Sequence, residues 1–105
     1  MRNKVIDEQI KRMNLFKKEK ELIKTLRIFN NKHRLAILVF LKEKGEKSVG
    51  QIADHLEVPF NTVSKNLLYL ARVGVLSRRY DTPFILYKIS TSLPKHESII
   101  IRELI

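Results

Sequence analysis

The chain has 105 residues, 44% of them hydrophobic, which is the size and apolar content of one compact domain. Lysine and arginine outnumber the acidic residues 21 to 11, and the resulting charge of +10 points to an anionic partner, nucleic acid before lipid. The absence of cysteine excludes disulfides, thiolate zinc centres and thiol redox sensing.

The start, Met1-Arg2-Asn3-Lys4, leads into a segment broken by Asp7, Glu8, Lys11 and Arg12, which is not the pattern of a signal peptide. The longest apolar run, Leu35 to Leu41, falls far short of the ~20 residues of a membrane helix, so a cytoplasmic protein is expected. Residues 3 to 29 place Ile6, Ile10, Met13, Leu22, Ile23, Leu26 and Phe29 at helical spacing, which predicts one long helix or two abutting ones. Glu19 and Glu21 interleave Lys17, Lys18 and Lys20, the pattern of a solvated helix face rather than a phosphate-binding arm.

Asn30-Asn31 supplies N-cap side chains for a second helix, Lys32 to Lys44, which Gly45 ends. That helix is apolar nearly all round and is therefore expected at the centre. Ser48-Val49 reads as a short strand or connector, followed by a brief helix from Gly50 to Leu56 and a turn at Glu57-Val58-Pro59-Phe60. Another helix is predicted from Asn61 or Thr62 to about Val73, because Val63, Leu67 and Leu70 fall at i, i+4 and i+7, and Gly74 stops it.

From Val75 the period approaches two: Val75 to Tyr80 and Phe84 to Ile89 predict a hairpin with its tip at Asp81-Thr82-Pro83. Pro94 stands as a first-turn residue before a final helix or strand holding Ile99, Ile100, Ile101, Leu104 and Ile105. The expected core is Leu35, Leu38, Ile52, Leu56, Val63, Leu67 and Leu70.

Two short helices joined by a tight turn and followed at once by a basic hairpin describe a mainly α, winged helix-turn-helix fold. On a helical wheel Asn61, Thr62, Lys65, Asn66, Tyr69 and Arg72 share one arc, with Ser64 at its border and Val63, Leu67 and Leu70 opposite. Asparagine can bond adenine at two points, lysine can reach guanine acceptors or phosphates, and serine or threonine can do either. No acidic residue occurs between Glu57 and Asp81, whereas Lys65, Arg72, Arg78 and Arg79 do, so charge here is sorted toward one sign. Arg78 and Arg79 are expected on the DNA backbone.

Leu22 to Ser90 resembles the arsenic-repressor-like (ArsR) family of bacterial and archaeal regulators. The resemblance is carried by Asn30-Asn31-Lys32-His33-Arg34-Leu35-Ala36-Ile37-Leu38, by Thr62-Val63-Ser64-Lys65-Asn66-Leu67, and by Gly74-Val75-Leu76 leading into the wing. It implies a dimer that reads DNA with Asn61, Thr62, Ser64, Lys65 and Asn66 and pairs its subunits through the first and last helices. The chain departs from the family at Phe60, where a polar residue is usual, at Leu68 and Ala71, often charged, and at Glu57, where Gly or Asn commonly closes the turn.

Ile6, Ile10, Met13, Ile99 and Ile101 are surplus to the helix-turn-helix core, and a symmetric partner is the expected cover. The chain then divides into a dimerisation helix at 1–30, a DNA-binding core at 31–90 and a dimerisation segment at 91–105. The expected partners are double-stranded DNA and a second copy. No cofactor is expected, and no metal, because His33, His55 and His96 are widely spaced and His96-Glu97 lacks a second histidine at helical spacing. No catalytic constellation points to an enzyme. The competing expectation is a protein-binding module using Phe60, Tyr69 and Phe84.

Overall fold

The computed structural model describes residues 3–105; Met1 and Arg2, at the head of the expected 1–30 segment, lie outside the described residues. Two abutting helices open the chain, α1 (Lys4–Leu15) and α2 (Lys17–Phe29), parted at Phe16. The Asn3 side chain caps α1 by accepting from the amides of Val5 and Ile6. No residue of α1 is buried, and α1 extends α2 into an arm that stretches the protein to 63 × 25 × 25 Å.

Helix α3 (Lys32–Lys44) has the bounds its caps dictate. Asn31 Oδ1 accepts from the amides of His33 and Arg34 at 2.9 and 3.0 Å, and Gly45 leaves the helix at φ 78°. Ser48 does double duty. It belongs to the two-residue strand β1 (Lys47–Ser48) and caps α4 (Val49–Leu56), its Oγ accepting from the Gln51 amide while Gln51 Oε1 accepts from the Ser48 amide. That box starts α4 one residue earlier than expected.

Helix α5 (Phe60–Arg72) follows after Glu57, which takes a left-handed conformation at φ 54°. Pro59 fixes the entry, so the helix begins at Phe60 rather than at Asn61 or Thr62. At the other end Val75 donates to the Leu70 carbonyl and Gly74 to that of Ala71, a Schellman closure with Gly74 at φ 85°. This use of the Val75 amide delays the hairpin's first strand by one residue, and the pairing of Asp81 with Phe84 takes Asp81 out of the expected tip: β2 (Leu76–Asp81) pairs antiparallel with β3 (Phe84–Ile89), which has the expected bounds. The sheet order is β1-β3-β2.

The final segment is a helix, α6 (Lys95–Leu104), with Pro94 as its N-cap rather than its first residue. Packing overrides the β-branched run, since Ile101 and Glu97, one turn apart, both face inward. Ile28, Ile37, Leu38, Leu41, Ile52, Val63, Leu67, Leu70, Val75, Leu76, Tyr87 and Ile101 form one core.

Two expectations are corrected here. Ile101, expected in a dimer interface, is only 4% exposed within its own subunit, and Lys42 Nζ donates to its carbonyl at 2.7 Å, tying α6 to α3. Ile99, almost half a helical revolution away, stays exposed. Leu35, expected in the core, is 38% exposed, because Ile37, Leu38 and Leu41 take the inward face of α3. Leu56 packs at the rim of the core.

Candidate nucleic-acid interface

With Val63, Leu67 and Leu70 locked inward, the 3.6-residue period leaves Asn61, Lys65, Leu68 and Arg72 exposed along one line of α5, with half-buried Ser64 beside it. The expected arc was broader toward Thr62, Asn66 and Tyr69. Those three are half-buried on the flank that meets the start of α3. Asn66 Nδ2 donates to the Thr62 carbonyl at 2.9 Å, and its Oδ1 accepts from Arg34 Nη1 at 3.5 Å. The Arg34 guanidinium also lies over the Tyr69 ring, 4.4 Å from its centre. Of the five residues expected to read DNA, Asn61 and Lys65 are therefore free at the surface, Thr62 and Ser64 are partly covered, and Asn66 is engaged within the fold.

The wing arginines occupy opposite faces of β2, as strand alternation requires. Arg78 pairs in register with Tyr87 and lies on the face of Leu76, which turns toward α5. Leu68, Ala71, Arg72 and Arg78 line one shallow cleft, so the basic line of α5 continues onto the wing through Arg78. The hydrogen-bonding Tyr87 side chain is the chief cause that holds the Arg78 pKa above its ordinary value. Arg79 faces the other way. It donates from Nε and Nη2 to Glu46, the shortest contact being 2.7 Å, and stays exposed.

The aromatic trio expected of a protein-binding module does not form one surface. Phe60 and Phe84 border a shared notch with Pro83 and Ile85, while Tyr69 sits beneath Arg34. His33 and His96 are half-buried, and His55 stacks on Phe40 with ring centres 4.0 Å apart. Glu97 is buried, accepting from Thr25 Oγ1 at 2.9 Å. Among the described residues no three His, Asp or Glu side chains gather into a cation site.

In the sequence Arg34 stands only as one member of the motif at residues 30–38. A signal for it exists in hindsight: Asn31 caps α3, so Arg34 lies in the first turn, where a cation opposes the helix dipole and gains nothing from its own helix.

A family model described as a helix-turn-helix domain matches residues 30–79. The transcriptional activator HlyU of Vibrio cholerae is 32% identical over 83 residues, 76% of each chain. The solved structure of its reduced form superposes with a TM-score of 0.73 at 26% identity, covering 87% of this chain and 92% of that one. The repressor PagR of Bacillus anthracis gives 0.66 at 30% identity over 86% and 99%. A homodimeric winged helix-turn-helix domain of Mycobacterium bovis, a possible ArsR-family regulator, gives 0.65 at 24% identity over 79% and 73%. On its sequence relatives, its helix-turn-helix and its wing, the chain belongs to the ArsR-like family of winged helix-turn-helix, DNA-binding transcriptional regulators.

Proposed function

We propose that the chain is a homodimeric repressor that sets one α5 from each protomer into successive major grooves of a pseudo-palindromic operator. Asn61, Lys65 and, at closer approach, Thr62 and Ser64 meet base edges, while Arg72 and Arg78 hold phosphates. Arg79 joins them once it leaves Glu46. The observation that carries this reading is the exposed line Asn61-Lys65-Arg72 continued by Arg78, on a stretch with no carboxylate between Glu57 and Asp81. Where the operator overlaps a promoter, a dimer seated on it excludes the transcription machinery; PagR, a repressor, shares this fold at 30% identity, while HlyU, at 32%, is an activator.

The arm supports the dimer. A compact chain of this length has a radius of gyration of about 13 Å; this one has 18.1 Å, because α1 touches little but α2. Ile6, Ile10 and Met13 are all exposed along one face of α1, an apolar stripe of the kind that a second copy covers. Ile99 on α6 remains available to the same interface.

Selection of bound sequences from a random duplex pool tests the proposal. Two inverted half-sites about 10 base pairs or a multiple apart are expected, with affinity falling steeply as salt rises. Recovery of no common sequence, or binding insensitive to salt, would overturn it.

A further inference from the structure

We propose that Arg34 is a positioning residue for the recognition helix, setting its angle against the arm and thereby the discrimination between operator and other DNA, without touching DNA itself. The inference rests on α5 being the helix that reads DNA. One guanidinium spans three elements. Nε donates to the Ile28 carbonyl and Nη2 to the Arg27 carbonyl, both at 2.7 Å, at the C-terminal end of α2, where free carbonyls and the helix dipole attract a cation. Its third edge meets α5, through Nη1 to Asn66 Oδ1 at 3.5 Å and through the ring of Tyr69.

Asn66 is itself fixed by its bond to the Thr62 carbonyl one turn back, so the contact bears on the half of α5 that holds Asn61 and Lys65. The planar fork is what makes the bridge. A lysine at this position supplies the charge but cannot bond two carbonyls and stack on a ring together. Base contacts require placement within a fraction of an ångström, whereas phosphate attraction tolerates tilt, so a loosened α5 loses the first and keeps the second.

The test compares Arg34→Lys, Tyr69→Leu and the double variant with the parent. Dissociation constants are measured for the operator recovered from the random pool and for a scrambled duplex of equal length, over a range of salt, alongside sedimentation mass and melting temperature. Arg34→Lys should weaken operator binding ~10-fold or more, leave scrambled binding and the salt slope unchanged, and remain of parental mass. Tyr69→Leu, which leaves both carbonyl bonds in place, should give part of that loss, and the double variant no more than Arg34→Lys alone.

Equal loss on both duplexes with a salt slope smaller by about one would mean that Arg34 touches a phosphate and would overturn the proposal. An unchanged operator-to-scrambled ratio in a folded variant would reduce the bridge to packing and overturn it too. A parent that does not distinguish the two duplexes would overturn the reading of α5 as well, which separates that failure from the failure of Arg34 alone.

Discussion

Arg79 and Glu46 form a two-point ion pair on the outer face of the wing, 33 residues apart in the chain and 2.7 Å apart at the shortest contact. The Arg79 guanidinium, chiefly through its hydrogen bond and against the cost of desolvation, holds the Glu46 carboxyl below its ordinary pKa, and the hydrogen bond and then the charge of Glu46 raise that of Arg79. Arg79 thus stays charged throughout, and only Glu46 titrates. Because its pKa is depressed in the folded state, the pair is intact above the ordinary carboxylate range and is lost as pH falls through the lowered value. At neutral pH the pair is closed, and in the proposed docking Glu46 keeps Arg79 from phosphate. Glu46→Gln should release it, strengthening binding to operator and scrambled duplex alike and raising the salt slope by about one. Anisotropy titrations across salt check this. Affinity equal to the parent's would show that Arg79 does not reach DNA.

Glu57 closes the turn between α4 and α5 in a left-handed conformation, φ 54° and ψ 42°, that glycine adopts without steric cost. Glu57→Gly should raise stability by ~0.5–1 kcal/mol, the relief of strain exceeding the added freedom of the unfolded chain. Urea unfolding is the measurement, with a higher midpoint and an unchanged slope expected. A lower midpoint would mean that the Glu57 side chain contributes more than its backbone costs.

Thr25 and Glu97 join α2 to α6 inside the fold, and Glu97 sits in the first turn of α6, where the helix dipole favours a carboxylate. Thr25→Val keeps the shape and removes the donor, leaving the carboxylate buried without that partner. A loss of ~1–3 kcal/mol is expected. Thr25→Val with Glu97→Leu should be more stable than Thr25→Val alone, since the second change removes the stranded group. Thermal melts of the single and double variants decide it, and a double variant less stable than the single would contradict the account.

Elements were legible where one residue type fixes a boundary: Asn31 and Gly45 delimit α3, Gly74 ends α5, and the change to a two-residue period marks the wing. A helical wheel gives the angles between side chains but not the flank that a neighbouring helix covers. For that reason Asn66 and Tyr69 looked as free as Asn61, although Arg34 from α3 occupies them. The Arg79 pairing escaped for a related cause, since Glu46 meets it only after β1 has joined β3. In α6 three successive isoleucines mask the period, so nothing in the sequence separated Ile101, which the core takes, from Ile99, which it leaves out.

That separation sharpens the test of the arm. Ile10 is 49% exposed on α1 and Ile101 4% exposed in the core, so the same charged replacement should act differently at the two sites. Ile101→Glu buries an unpaired carboxylate and removes core packing, and it should cost roughly 3 kcal/mol or more. It destabilises the subunit whatever its oligomeric state. Ile10→Glu with Met13→Glu adds charge to a surface that only a partner would cover, so the subunit should keep its helical content while its sedimentation mass falls to that of a monomer. A monomer holds one half-site at a time, so operator binding should weaken strongly while binding to scrambled duplex, set by phosphate contacts, changes far less. A parent that sediments as a monomer at micromolar concentration, or an arm variant that remains dimeric and protects both half-sites, would move the subunit contact away from α1.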